Sequence, residues 1–226
     1  MNSQGLVNTK NFGGPFTDKI DTKRKEELKF WRERLRSKGG IDYWRKLYFE
    51  LYCHYLGVHQ NSFVGKTLMD IGCGPHGAIG LFEAKFKIGV DPLAKDYHQL
   101  FNLPRQDIIY LSCEAENIPL VDETVDVVIS RNAIDHVDDI INTFCEIYRV
   151  LRKGGEIILS VNYQEESHIC EPHVLNDRII RTLLQGKFFY EIVRRFPANY
   201  DSGIGGFGQF KYPYEIVLIA GVKAYK

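Results

Sequence analysis

From residue 66 onward, short runs of β-branched and other apolar residues alternate with stretches in which the apolar positions have helical spacing. The short runs predict five buried strands, at residues 67–71, 85–90, 107–111, 125–130 and 156–161. The helical spacing predicts three helices, at residues 78–84, 94–101 and 138–151. Strands that alternate with helices predict an α/β fold, with a Rossmann-like, mostly parallel sheet and helices on both faces.

The pattern changes on both sides of this region. Apolar runs at 188–196 and 214–222 predict two late strands with no helix between them, so we expect the sheet to end in an antiparallel C-terminal strand. The glycine-rich segment 203–208 is expected to be a flexible connection. Two amphipathic helices, at 24–36 and 43–56, are predicted before the first strand.

These elements suggest three parts of the chain. Residues 1–20 lack apolar periodicity and are expected to form a flexible N-terminal arm, with a lid over a ligand as the alternative. Residues 21–60 are expected to supply N-terminal helices that pack on or cap the core. Residues 61–226 would form that core, with an insertion at about 162–186 and a further predicted helix at 176–184 inside it.

The composition argues against some classes of binding partner. The chain has 226 residues, 29 of them basic and 29 acidic, so its formal net charge is zero and it carries no general attraction for nucleic acid or an anionic membrane. No apolar run approaches the roughly 18 residues of a membrane-spanning helix. The polar residues 1–10 do not resemble a secretory signal, and five scattered cysteines do not suggest a disulfide framework. We therefore expect a reduced, cytoplasmic enzyme; no sequence feature indicates its oligomeric state.

A glycine-rich turn at residues 70–77, directly after the first predicted strand, is the main chemical signal. Glycines there allow a tight turn and a close approach of the backbone to a ligand. Asp91 ends the second predicted strand and is placed to accept hydrogen bonds from a ribose. Asp70, two residues before Gly72, would repel a pyrophosphate but suit a cationic amino group. A phosphate-free nucleoside with positive charge, such as S-adenosylmethionine (SAM), fits these requirements better than NAD.

Five segments resemble, in order and spacing, the motifs of the class I SAM-dependent methyltransferases of the small-molecule branch. The segments are Leu68–Pro75, Gly89–Pro92, Cys113–Leu120, Val125–His136 and Leu151–Gly155. The third motif departs from the family pattern, since Cys113 replaces its usual glycine and Glu114 its usual aspartate. In the fourth motif, Val125 replaces an aromatic residue and Asp135 replaces a histidine.

The resemblance implies a role in binding SAM for ten residues. The backbone of Gly72 and Gly74 would lie along the methionine part, and Asp70 would help to hold its ammonium group. Asp91 would bind the ribose. The adenine would lie near Pro92 and Leu93, with Glu114 and Ala115 hydrogen-bonded to it, and the carbonyl of Ser130 or Arg131 would lie near the sulfonium.

The residues that bind the methyl acceptor are less well marked. His136 and His173 are candidate general bases, because each follows a predicted strand whose carboxyl end faces the ligand crevice. Asn162 and Tyr163 are candidates for the substrate pocket. His168, Cys170 and His173 have spacing that invites zinc, but with no obvious fourth ligand we expect no metal site.

The sequence therefore predicts a SAM-dependent methyltransferase that transfers a methyl group to oxygen, or nitrogen, of a small-molecule acceptor. We expect no nucleic acid or membrane partner. Two alternatives remain open: a non-catalytic SAM-binding module, and an NAD-dependent oxidoreductase that uses the same glycine turn.

Overall fold

A single mixed sheet organises the chain in the computed structural model, which describes the backbone of residues 15–37, 40–101, 107–197 and 215–224. Its seven strands are β1 (Phe63–Ile71), β2 (Ala84–Val90), β3 (Ile108–Leu111), β4 (Val125–Arg131), β5 (Leu151–Tyr163), β6 (Phe188–Pro197) and β7 (Glu215–Lys223). The α-helices are α1 (Pro15–Ser37), α2 (Gly40–Phe49), α3 (Ala94–Phe101), α4 (Ile140–Val150) and α5 (Asp177–Leu184). A π-helical segment, Glu50–Tyr55, continues α2.

The strand order is β3-β2-β1-β4-β5-β7-β6. Strands β1 to β5 pair in parallel, whereas β7 is antiparallel to both β5 and β6. This topology confirms the predicted Rossmann-like fold with an antiparallel C-terminal strand. Ile71 lies opposite Val90 on one side and Ser130 on the other, so the carboxyl ends of β1, β2 and β4 meet at one edge. Ligands bind at that edge in sheets of this kind.

Helices cover both faces of the sheet because their apolar stripes need a partner. On one face, Phe144 and Ile147 of α4 and Leu183 of α5 join the larger core cluster. On the other, Trp44 of α2 and Tyr52 of the π-helical segment pack in a second cluster. The apolar face of residues 43–56 thus packs on the sheet, and its Trp44 and Tyr48 also line the cavity described below.

Two expectations about local structure need correction. The segment expected to be a helix at 78–84 forms a 3₁₀ turn at Ala78–Leu81, and β2 begins at Ala84. Gly77 precedes that turn with φ of −21° and ψ of 149°, which is not a helical conformation, and so interrupts a regular helix. At the N-terminus, α1 begins at Pro15, a residue type well suited to the first helical turn, so residues 15–20 are helical rather than part of an arm.

The remaining predictions for the chain termini have different outcomes. Residues 1–14 and the glycine-rich segment 203–208 lie outside the described residues. Within the described ranges, no helix has the length and apolar character needed to cross a membrane. The division of the chain at residues 20 and 60 remains a proposal.

Candidate functional site

The turn between β1 and the first 3₁₀ segment requires glycine at two positions. Gly72 and Gly74 have φ of +66° and +56°, in the left-handed region that other residues rarely adopt. A Cβ atom at Gly72 would lie only 2.1 Å from Cβ of Ala133, which follows β4. Because the amide of Gly72 also donates to the carbonyl of Val90 at 2.8 Å, the turn is held tightly at the carboxyl edge of the sheet.

Asp91 follows β2 and is buried beside this turn, with 7% of its surface exposed. Its Oδ2 accepts a hydrogen bond from the amide of Gly74 at 2.9 Å, and its Oδ1 accepts one from the amide of Leu93 at 2.9 Å. Burial raises the pKa of Asp91 to about 6, although both amides oppose that change. The carboxylate is therefore fixed in position at the predicted ribose site.

Asp70 lies beneath the turn, away from the cavity wall. Its side chain is 2% exposed, and its Oδ2 accepts a hydrogen bond from the amide of Ile79 at 3.2 Å. Burial raises its pKa to about 7, and the charge of Asp91 adds to that effect. In this structure the carboxylate organises the segment after the glycine turn; its expected contact with a ligand ammonium group stays a prediction.

A cavity of about 490 Å³ opens at the carboxyl edge of the sheet, within the range of small-molecule sites. Most residues that the sequence assigned to the site line it: Gly72, Gly74, Asp91, Pro92, Leu93, Glu114, Ala115, Arg131, His136 and Asn162. Ser130 is fully buried at its rear, where its hydroxyl donates to the carbonyl of Ile71 at 2.8 Å. The structure thus brings residues from the ends of five strands, β1 to β5, into one space.

Helix α1 closes one side of this cavity; the sequence predicted helices that pack on or cap the core, but not which surface they cover. Lys23 Nζ lies 2.6 Å from Asp138 Oδ1, and Arg24 Nη2 lies 2.6 Å from Glu114 Oε1. About two turns further along the helix, Trp31 packs so closely on the glycine turn that a Cβ atom at Gly74 would lie 2.9 Å from its ring. The ion pairs hold α1 over the positions predicted to bind the adenine.

His136 lies on a 3₁₀ turn after β4 and is surrounded by acidic side chains. Its Nδ1 lies 2.9 Å from Glu27 Oε1, and its Nε2 lies 3.4 Å from Glu171 Oε1. Burial opposes the charged form, but Asp135, Glu171 and Glu27 together raise the pKa of His136 well above its ordinary value. Without a further ligand, this environment favours an imidazolium; a role for His136 as general base stays a prediction.

The other predicted acceptor residues are more dispersed. His173 bonds through Nε2 to the carbonyl of Val137 at 3.0 Å, and the hydroxyl of Tyr163 donates to Asp177 Oδ1 at 3.0 Å. Neither is among the residues that line the cavity, whereas Asn162 is. Their expected roles in catalysis and substrate binding stay predictions.

The histidine and cysteine residues with zinc-like spacing do not converge in the part of the chain that the structure describes. His168 Nε2 instead lies 2.9 Å from Glu171 Oε2. The described residues that do converge are Asp135, His136 and Glu171, whose potential ligand atoms all lie within 4.8 Å of one another. Glu171 was not among the residues that the sequence indicated, although it lies between two that were, Cys170 and His173.

Comparison with known proteins identifies the region that carries this site. Residues 69–159 match the family model of the methyltransferase domain. The chain is 30% identical over 113 residues to an uncharacterized methyltransferase of Mycobacterium bovis (strain BCG / Pasteur 1173P2), a match that covers 47% of this chain and 43% of that protein. A similar protein of Mycobacterium avium (strain 104) is 31% identical over 109 residues, which are 45% of this chain and 42% of that protein. The matches therefore span less than half the length of these curated relatives.

Solved structures show the same fold at lower sequence identity. A methyltransferase solved with the Haloferax volcanii Trm112 activator is 18% identical, with a TM-score of 0.61 over 85% of this chain and 97% of that one. The YcgJ protein of Bacillus subtilis is 19% identical, with a TM-score of 0.56 over 73% of this chain and 94% of that one. A Haemonchus contortus phosphoethanolamine N-methyltransferase, solved with S-adenosylhomocysteine, is 17% identical, with a TM-score of 0.58 over 86% of this chain and 59% of that one.

Proposed function

We propose that the chain, whose residues 69–159 match the methyltransferase domain, is a class I SAM-dependent methyltransferase that transfers a methyl group from SAM to an oxygen or nitrogen atom of a small-molecule acceptor. The observation that carries the proposal is the fixed carboxylate of Asp91 beside a glycine turn, both on the wall of one cavity. A buried acceptor that is already oriented suits the paired hydroxyls of a ribose.

The residues on the cavity wall fit SAM as the methyl donor. Gly72 and Gly74 present backbone to the cavity, since a side chain at either position would collide with Ala133 or Trp31. Asp91 would hold the ribose, and Leu93, Glu114 and Ala115 would surround the adenine. When SAM is bound, its sulfonium supplies a methyl carbon that is already activated toward a nucleophile.

The local structure argues against a pyrophosphate-containing cofactor. Dinucleotide-binding folds place the pyrophosphate at the N-terminus of a long α-helix, where unpaired amides and the helix dipole favour anions. Here, the glycine turn is followed by two 3₁₀ turns of three and four residues, Gly74–His76 and Ala78–Leu81. The amide of Ile79 is already directed at Asp70, a buried acid that would repel a nearby phosphate.

The acceptor would lie in the part of the cavity lined by His136, Asn162 and Glu171. Methyl transfer depends mainly on bringing the two reactants together, and orientation of this kind can supply roughly 7–11 kcal/mol. Helix α1 closes one side of the cavity and would limit access of water, so a cavity of about 490 Å³ favours a small molecule over a polymer. His136, His173, Asn162 and Tyr163 remain the proposed acceptor-side residues.

Calorimetry with S-adenosylhomocysteine (SAH), SAM and NADH would test the donor assignment. We expect SAH and SAM to bind with a stoichiometry of one, and NADH to bind much more weakly. Production of SAH across a panel of hydroxyl- and amine-bearing metabolites would then test turnover. Binding of SAH with no turnover on any acceptor would favour a non-catalytic SAM-binding module, and preferential binding of NADH would contradict the proposal.

A further inference from the structure

We propose that Asp135, His136 and Glu171 form a binding site for one divalent transition-metal cation, such as Mn²⁺ or Zn²⁺, at the acceptor end of the cavity. One imidazole nitrogen and two carboxylates are a donor set suited to such ions. The two carboxylates would also balance the charge of a divalent cation.

Asp135 has a buried carboxylate that lacks the partner such a group normally requires. The residue is 0% exposed, and neither of its carboxylate oxygens has a hydrogen-bond partner among the described residues. An isolated buried carboxylate is costly, and such groups are normally paired or bound to metal. Nε2 of His136, also buried, makes no hydrogen bond and lies 3.4 Å from Glu171 Oε1. A fully buried carboxylate without a hydrogen-bond partner therefore lies beside an imidazole nitrogen and a second carboxylate.

The distances suit a cation after a small inward movement. The ligand atoms of the three residues lie within 4.8 Å of one another. Bonds of about 2.0–2.2 Å place donors on opposite sides of an ion about 4 Å apart. Glu171 is on the loop between β5 and α5, so movement of its side chain toward Asp135 and His136 would complete the site.

A second layer of residues orients two of the proposed ligands. Glu27 Oε1 lies 2.9 Å from His136 Nδ1, which would hold the proton on Nδ1 and leave the lone pair of Nε2 toward the cluster. His168 Nε2 lies 2.9 Å from Glu171 Oε2 and fixes that carboxylate from the outside. Such carboxylate–histidine pairs are common around metal ligands.

The site is open toward the cavity. His136 and Glu171 line the cavity, whereas Asp135 lies behind them. A cation held by three protein ligands keeps a position free for water or substrate. The use of that position rests on the proposed function: an oxygen-bearing acceptor would bind there, and the cation would lower the pKa of its hydroxyl. Binding of the cation itself does not depend on that function.

Calorimetric titration of the chelator-treated, dialysed full chain with MnCl₂, and separately with ZnCl₂, would test the site. We expect one ion per chain, with a dissociation constant in the micromolar range or below. Asp135→Asn and Glu171→Gln should each weaken binding of the ion at least tenfold. Glu27→Gln acts only through His136 and should weaken binding of the ion by roughly ten- to a hundredfold or less. Glu166→Gln, an exposed residue on the same loop, is the matched control and should bind as the wild type does.

Electron spin echo spectra of the Mn²⁺-loaded protein give a readout that does not depend on affinity. We expect nitrogen modulation from a coordinated imidazole, lost in His136→Gln and retained in His173→Gln. Asp135→Asn removes a buried charge without changing shape, so its thermal melt should show that it folds. Absence of stoichiometric binding, or equal binding by all variants, would overturn the proposal. Parallel SAH titrations separate the two proposals, since either ligand can bind without the other.

Discussion

The carboxylate of Asp91 accepts a hydrogen bond from the amide of Gly74, with 2.9 Å between Oδ2 and the nitrogen, and so ties the end of β2 to the turn after β1. Its other oxygen accepts from the amide of Leu93. The residue expected to bind the ribose thus also satisfies two backbone amides in a buried position. We therefore expect removal of the Asp91 side chain to lower both the affinity for the ligand and the stability of the ligand-free protein.

We expect Asp91→Ala to weaken the binding of SAH by about 1–3 kcal/mol, the scale for the loss of hydrogen bonds to a buried acceptor. The variant should also melt at a lower temperature without ligand, because the amides of Gly74 and Leu93 lose their partner. Calorimetry and thermal melts measure the two effects separately. Asp42→Ala, an exposed change at the start of α2, is the control. Unchanged affinity for SAH would remove Asp91 from the donor site.

The contact between Gly72 and Ala133 leads to a prediction about stability. Gly72→Ala should cost about 1–3 kcal/mol more than Gly57→Ala, which is the overpacking range. The two glycines share φ of +66°, but a Cβ atom at Gly57 meets nothing within 4 Å, whereas one at Gly72 would lie 2.1 Å from Ala133 Cβ. Gly57→Ala thus measures backbone strain alone. Urea denaturation gives both values.

A second substitution tests the origin of that difference. Ala133→Gly in the Gly72→Ala background should recover most of the excess cost, because it removes the atom that collides. Equal costs for the two glycine variants, or no recovery in the double variant, would show that the turn relaxes in another way.

The ion pair between Arg24 and Glu114 should control how long a ligand stays in the cavity. Both side chains are more than two-fifths exposed, so the pair alone is weak. Arg24→Glu would place like charges together and should raise the dissociation rate of SAH roughly two- to tenfold, the range expected for exposed charges. Stopped-flow measurements would show the change, and high salt should reduce it. Arg32→Glu, an exposed change on the same helix, is the control.

Exchange of the two charges in the pair of Arg24 and Glu114 separates two roles of Glu114, which are to hold α1 and to bind the adenine. The double variant Arg24→Glu, Glu114→Arg should restore protection of α1 against limited proteolysis. If Glu114 also accepts a hydrogen bond from the adenine, the affinity for SAH should stay low despite that protection. Full recovery of affinity would limit Glu114 to holding α1.

The donor side of the site was predictable because its determinants are local in sequence. Gly72 and Gly74 closely follow a strand, and Asp91 directly follows the next one, so the spacing and the parallel sheet together place them at one edge. The same reasoning failed at residues 78–84, where apolar spacing favoured a helix but the glycine at position 77 and the acceptor Asp70 favoured a short 3₁₀ turn.

The acceptor side depends on contacts that no local pattern encodes. Glu27 and Trp31 reach the site only because α1 packs across the cavity, and an amphipathic stripe does not specify which surface it covers. Glu171 lies 3.4 Å from His136 but 35 positions away in the chain. The long loop after β5 sets that distance, and its path is fixed by tertiary contacts such as the bond from His173 to Val137.

The buried carboxyl group of Asp70 should make the stability of the protein depend on pH. Burial raises its pKa in the folded state to about 7, from an ordinary value of 3.8. Between these two values the folded protein retains a proton that the unfolded chain has released, so the free energy of unfolding falls as the pH rises. The full effect is up to about 4 kcal/mol, since each pKa unit corresponds to about 1.4 kcal/mol.

Asp70→Asn should remove this contribution, because the amide oxygen can still accept from Ile79 but carries no charge to bury. The variant should gain stability relative to the wild type as the pH rises from about 4 to about 7, with little difference below pH 4. Urea denaturation across this range measures the difference, with the exposed Asp42→Asn as control. A difference that stays constant with pH would show that Asp70 titrates normally in the folded protein.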